Sequence, residues 1–494
     1  MHLIFMFLLF AAAPVAYADP LFVAVSDHVT TVDGGLSRGV AFGDADGDGD
    51  PDLLVANTIN YPEFLYRNDG ENFVQIMETA PSLAGGFTEG VNWVDFDNDG
   101  DLDIFAARTD SLNALYRNDG DWSFEEASLG DLSTDRSTSS MACWADIDGD
   151  GWLDVFVVNR GGESDALYRN LAGRSFERVP DTVAGRPGGD GRSCVLADLD
   201  GDGDPDLYVG NFVDTSTSPP TKQRNFLYFN QGNFEFTEQK RGAAAESQAL
   251  TYGISVTDAD NDGNPDLFVT NIGRGDLNQL YLNDGDGNFS LREAGFATPV
   301  DTPSKGHTWG DFDLDGDLDV AIANGTEGTE HIQNELYLND GDANFTAVSN
   351  EAFVRDSSIS AGIAHADIDM DGDLDLYVAN WGDGDQDNSL YRNLSKGTWL
   401  KLQLIGSASN RMGVGTRVTI TTRHAGRTAR QTRWLNASTG YASQNDSVLH
   451  FGLGEATSIE ELGIDWPSGR HDTFSDVAAN QYLRLTEGAA LERQ

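Results

Sequence analysis

Cysteine is nearly absent: Cys143 and Cys194 are the only two in 494 residues. That excludes a disulfide-stapled scaffold. An exported chain could join them, but they sit at non-equivalent offsets in neighbouring repeats and read as two buried free thiols. Basic residues are scarce as well, with 31 Lys and Arg against 81 Asp and Glu, a formal net charge of −50. Such a surface repels phosphate, so nucleic acid is excluded as a partner. Beyond the first 18 residues no stretch approaches the ~20 apolar residues of a membrane span. The eight histidines show no zinc-type spacing, and there is no P-loop. The usual metallohydrolase and nucleotide-binding signatures are therefore missing.

What is present suffices for a core: 39% hydrophobic residues, including 26 Phe, 14 Tyr and 9 Trp. Residues 1–18 run apolar from Leu3 to Ala13 and end in Ala16-Tyr17-Ala18. This reads as a signal peptide cleaved before Asp19, for a secreted or periplasmic protein, although its start lacks Lys and Arg. The alternative is a buried first strand.

Internal repetition decides the architecture. The pattern D-x-D-x-D-G-x-x-D occurs seven times, 51 to 60 residues apart. Its aspartates, at positions 1, 3, 5 and 9, are Asp44, Asp46, Asp48 and Asp52 in the first copy and Asp95, Asp97, Asp99 and Asp103 in the second. They are Asp146, Asp148, Asp150 and Asp154 in the third, and Asp198, Asp200, Asp202 and Asp206 in the fourth. The last three copies supply Asp258, Asp260, Asp262 and Asp266; Asp311, Asp313, Asp315 and Asp319; and Asp367, Asp369, Asp371 and Asp375. Short apolar runs flank each loop. Leu-Tyr-Arg-Asn-like stretches follow, then a Phe such as Phe73, Phe124, Phe176, Phe234, Phe289 or Phe345. Short apolar runs bounded by Asp, Asn and Gly are strands and turns. Four strands per ~50 residues make a propeller blade. The predicted fold is all-β: a seven-bladed β-propeller over 19–397 with calcium-binding loops, followed by a small β-rich, sandwich-like domain over 398–494. The seventh copy lacks a Phe-led fourth strand, and Leu21–Val25 is a spare one. That segment is expected to complete the seventh blade and hide two strand edges.

Aspartates at alternate positions before a glycine put hard oxygen donors on one side of a tight turn, which suits Ca²⁺. About seven ions are expected, one per blade. An EF-hand is excluded, because position 12 is Val55, Ala106, Val157, Val209, Val269, Ile322 or Val378 where it needs Glu. A metal-free acidic turn would crowd four carboxylates against one another.

These loops with the Leu-Tyr-Arg-Asn strands resemble FG-GAP or VCBS repeats, the type found in integrin α-subunit propellers. The resemblance implies one Ca²⁺ per blade on the aspartates named above. From Thr398 onward the composition shifts to ten Lys and Arg against nine Asp and Glu. Gly413-Val414-Gly415, Gly440-Tyr441-Ala442-Ser443-Gln444, His450-Phe451-Gly452-Leu453-Gly454 and Trp466-Pro467-Ser468-Gly469 resemble the ASPIC/UnbV domain, as in the cartilage acidic protein-like family. Six arginines between Arg411 and Arg433 are expected to help dock this domain on the acidic propeller.

His307 and His365 read as core histidines. The acidic stretch after Trp381 reads as solvated surface rather than an eighth cation site. The functional reading is a secreted, non-catalytic, calcium-bound scaffold for an extracellular protein or glycan. The alternative is a carbohydrate-active enzyme or lectin-like module.

Overall fold

The computed structural model describes residues 20–494 apart from 33, 60, 71, 121, 186–188, 293–301, 327, 329 and 383–385. The signal-peptide reading lies outside the described residues. The chain is almost wholly β. Each of the first six acidic repeats folds as an antiparallel four-stranded meander, beginning with Ser37–Gly43, Asp52–Asn57, Phe64–Asn68 and Phe73–Ile76. The first strand of each sheet packs against the first strand of the next, and the one at Ser360–Ala366 packs back on Ser37–Gly43. The result is a closed, propeller-like ring, with seven such sheets among the described residues. Second strands such as Asp52–Asn57 are buried along their whole length, because a neighbouring sheet covers each face.

The last sheet takes its outer strand from the other end of the chain. Phe22–Val25 pairs antiparallel with Ser389–Asn393, Phe22 opposite Asn393 and Val25 opposite Leu390. This matches the spare-strand expectation. One detail differs: the outer strand of the fourth sheet is led by Phe236, which faces Asn230, and not by Phe234. Phe234 lies in the turn at φ 65°.

Asparagines ending the third strands latch the sheets together. Asn118 donates to the Ala45 carbonyl at 3.0 Å, Asn170 to Phe96 at 2.8 Å and Asn230 to Ile147 at 3.2 Å. Asn283 reaches Leu199, Asn339 reaches Ala259 and Asn393 reaches Phe312, each at 2.8 Å.

The cysteine reading is corrected. Cys143 and Cys194 form a disulfide between adjacent sheets, with Cα atoms 6.1 Å apart. Cys143 lies three residues before its loop and Cys194 four. Side chains alternate faces along a strand, so a one-residue difference turns one thiol forward and the other backward. Non-equivalent offsets are what a bond between neighbouring sheets requires.

The C-terminal region forms two further four-stranded sheets. Thr398–Ile405 runs parallel to Gln481–Thr486 in one, and Arg417–His424 is central in the other. Their core includes Leu402, Val418, Ile420, Phe451, Leu462, Ile464 and Leu485. Residues 437–446 leave this core and enter the centre of the ring. There Gln444 bonds Val40 and Phe42 through its backbone at 2.9 and 3.1 Å, and Trp93 through its side-chain amide. The Gly440 carbonyl accepts from Ser193 and Ile254, and Asn445 accepts from Thr308 and His365. Close approach depends on glycine in the innermost strands. A Cβ on Gly39 would collide with the Ala442 carbonyl, and one on Gly362 would lie 2.5 Å from the Arg38 carbonyl and the Ser443 hydroxyl.

Candidate metal centres

Each acidic loop joins the first and second strands of a sheet. Its local geometry follows from the repeat. Position 1 accepts the backbone N–H of the glycine at position 6 in every copy, from Gly151 on Asp146 at 2.8 Å to Gly263 on Asp258 at 3.2 Å. The same bond joins Gly49 to Asp44, Gly100 to Asp95, Gly203 to Asp198, Gly316 to Asp311 and Gly372 to Asp367. All seven of these glycines have φ between +88° and +109°, which a side chain would strain.

Position 9 anchors the loop. Both oxygens of Asp52 are engaged, one by the Ala45 N–H at 2.8 Å and one by the Asn68 N–H at 2.8 Å. Asp103, Asp154, Asp206, Asp266, Asp319 and Asp375 make the same second bond to Asn118, Asn170, Asn230, Asn283, Asn339 and Asn393 at 2.8–2.9 Å. The ninth aspartate therefore ties the loop to the third strand.

Among the described residues, carboxylate oxygens within 4.8 Å of one another gather in sets that include Asp44, Asp46 and Asp48; Asp95, Asp97 and Asp99; Asp146, Asp148 and Asp154; Asp198, Asp200 and Asp206; and Asp258, Asp260 and Asp262. The donor set fits a hard cation, because every loop leaves a buried carboxylate oxygen at position 1 or 3 with no hydrogen bond. These are on Asp44, Asp97, Asp148, Asp200, Asp258, Asp311 and Asp367. A buried acceptor left unpaired is costly, and a cation would satisfy it. The charges tell the same story. Burial, then Asp446 and Asp48, pushes Asp44 up to about 7. Burial and Asp99 push Asp95 to about 7, and burial pushes Asp258 to about 7. Asp52 and Asp103 rise to about 9, again chiefly through burial. Without a counter-ion these loops hold protons near neutral pH.

A feature absent from the repeat's obvious signature is position 4. It has positive φ in all seven copies: Gly47, Asn98, Gly149, Gly201, Asn261, Leu314 and Met370. The Gly and Asn choices carried that signal; Leu314 and Met370 concealed it.

The arginine expectation is met in part. Arg411 donates its backbone N–H to Asn98, Arg417 its guanidinium to the Gly263 carbonyl at 3.1 Å, and Arg433 is buried facing Asp311 and Asp258. Arg423 pairs instead with Glu460, and Arg427 and Arg430 point to solvent. Lys401, outside that cluster, sits on Asp367 at 2.8 Å. His307 is a core residue, bonded to Ser255 and driven down to about 3 by burial; His365 is half-buried and lines a cavity against the C-terminal domain, bonded to Thr308 and driven down to about 3, chiefly by desolvation. Trp381 lies under the Arg38 guanidinium at 3.6 Å.

The chain matches the FG-GAP-like repeat model over residues 44–106, 95–157, 146–209, 258–322 and 311–378, and the ASPIC and UnbV model over 406–492. It belongs to the FG-GAP-like repeat proteins that carry an ASPIC and UnbV domain. Cartilage acidic protein 1 of Mus musculus is 26% identical over 92% of this chain and 74% of its own length. The Homo sapiens protein of that name is 24% identical over 92% and 73%, and the Xenopus tropicalis one 24% over 78% and 71%. Among solved structures, YCF48 bound to D1 peptide is similar at 12% identity and TM-score 0.48, covering 78% of this chain and 98% of its own. YCF48 from Cyanidioschyzon merolae is similar at 11% and 0.47, covering 75% and 99%. Among the described residues no helix is long and apolar enough to cross a membrane.

Proposed function

We propose that this chain is an exported, calcium-loaded seven-bladed propeller, residues 19–397, closed by its C-terminal domain, residues 398–494, and that it binds an extracellular protein or glycan without catalysing a reaction on it. The 28 aspartates at loop positions 1, 3, 5 and 9 would hold about seven Ca²⁺, one per blade. The observation that carries this reading is the unpaired buried carboxylate oxygen in each of the seven loops. Calcium would satisfy those oxygens and offset part of the −50 charge. It would stiffen the loop face on which the C-terminal domain rests. Export agrees with this reading, because extracellular calcium modules bind at ~10⁻⁴–10⁻³ M and suit a calcium-rich medium. The test is elemental analysis of the purified chain with calorimetric titration after chelation. About seven calcium per chain is expected. A chain with none, and no uptake at millimolar calcium, would refute the proposal.

A further inference from the structure

The C-terminal domain lies over the acidic loops, but not evenly. A Cβ placed on the position-6 glycine reports what covers each loop. On Gly49 it would meet Tyr482, on Gly100 Arg411 at 3.3 Å and on Gly151 the Ala408 carbonyl at 3.2 Å. On Gly263 it would meet Arg417, on Gly316 Gln431 at 3.0 Å, and on Gly372 it would collide with Trp399. On Gly203, in the fourth loop, it would meet nothing within 4 Å. Six loops are covered and one is open. Asp198 is half-buried, as are Asp44 and Asp146, while Asp95, Asp258, Asp311 and Asp367 are buried.

Over that loop lies a cleft of about 300 Å³. Its propeller wall carries Asp198, Gly203 and Asp204, and its domain wall carries Trp434, Asn436 and Pro467. Trp434 and Asn436 are half-buried, and among the described residues neither side chain has a hydrogen-bond partner. The cleft thus offers a flat indole face, an N–H donor, an amide with both donor and acceptor, the Arg417 guanidinium, and the carboxylates of Asp146, Asp198, Asp204 and Asp465 as acceptors. We infer that this interdomain cleft binds a neutral saccharide, with the C–H face of a pyranose ring on Trp434 and its hydroxyls on Asn436 and Asp204. Hydroxyls both donate and accept, which this mixed set satisfies; a uronate or sulfated sugar would meet carboxylates that outnumber the single Arg417 cation. The inference rests on the calcium reading in one respect: ions in the third and fourth loops would offset the charge of Asp146 and Asp198, which also line the cleft.

The test uses the full calcium-saturated chain against a panel of neutral hexose and N-acetylhexosamine oligosaccharides, uronate and sulfated oligosaccharides, and oligolysine. A neutral member should bind, and Trp434→Ala and Asn436→Ala should each weaken it at least tenfold at unchanged melting temperature and calcium content. Asp204→Asn supplies a third variant remote from the domain core. No binding by any neutral member would overturn the inference. So would binding that survives Trp434→Ala and Asn436→Ala, or a Trp434-dependent preference for oligolysine. Calcium content is read on the same samples. A chain without calcium counts against the loop reading, and a loaded chain blind to neutral sugar counts against the cleft.

Discussion

Asn68 donates its side-chain amide to the carbonyl of Ile368 at 2.9 Å, across 300 residues of sequence. It is the same latch that joins each sheet to its predecessor, made here between the first sheet and the last. Together with the pairing of Phe22–Val25 on Ser389–Asn393, it converts a row of repeats into a ring. Removing the Asn68 amide strands the carbonyls of Pro51 and Ile368. Asn68→Ala should cost roughly 1–3 kcal/mol. Deletion of residues 19–26 should cost more, since it exposes two strand edges. Urea unfolding measures both, and a deletion chain as stable as the parent in calcium would contradict this account of closure.

Chelation should lower the melting temperature sharply and calcium should restore it, with magnesium much less effective. Each ion bound only by the folded loop stabilises by about 2.7 kcal/mol at a hundredfold excess over Kd. Several such sites are large beside a total stability of about 5–15 kcal/mol. Asp95→Ala should remove one calcium from the measured stoichiometry and part of the thermal gain.

The pH dependence of the chelated chain has a definite sign. Asp44, Asp95 and Asp258 are raised from 3.8 to about 7, so the folded chain binds protons there that the unfolded chain has released. Stability from these groups is complete below about pH 4 and is lost as pH rises toward 7. Chelated protein should therefore melt lower at pH 7.5 than at pH 5. Calcium should reverse that slope, because ion binding displaces the protons. Equal slopes in chelator and in calcium would show that the loops do not bind the ion.

The Cys143–Cys194 bridge closes a loop of 51 residues. Replacing both cysteines by serine should destabilise the ring by roughly 2–4 kcal/mol without changing calcium content. A free-thiol assay under denaturation should find none in the parent chain.

Tyr441 is the anchor of the central segment. It is fully buried, its ring lies 5.0 Å from that of Tyr252, and its hydroxyl bonds Glu89. Burial opposes the charge of Glu89, but Arg38, Arg160 and the Tyr441 hydroxyl outweigh it and hold the carboxyl below its ordinary range. Tyr441→Ala should cost about 3–5 kcal/mol and open the junction near residue 397 to protease. High salt should not mimic it, since most of the segment's contacts are backbone and amide hydrogen bonds.

Much of this was legible in the linear chain. The position-6 glycines and the aspartates at positions 1, 3, 5 and 9 define a loop whose internal bonds span at most seven residues. The short apolar flanks define its strands, and the spare segment at Leu21–Val25 foretold the final pairing. Such features depend on local sterics and on apolar runs bounded by turn residues, which sequence displays directly. Phe234 misled because the fourth turn carries a second phenylalanine two residues before Phe236, which pairs with Asn230 at the usual offset.

The sequence by itself determined the repeat, its acidic loops, its strands and the separate character of the C-terminal region. Tertiary structure alone decided the Cys143–Cys194 bond, the entry of Tyr441 into the ring, the three arginines that face the loops and the one loop left open beneath Trp434. Each of these joins surfaces brought together by closing the ring and laying one domain across it. The direction a side chain faces there is set by sheet parity and by which residues leave room, as Gly39 and Gly362 do for the central segment. Distance along the chain carries no trace of that choice.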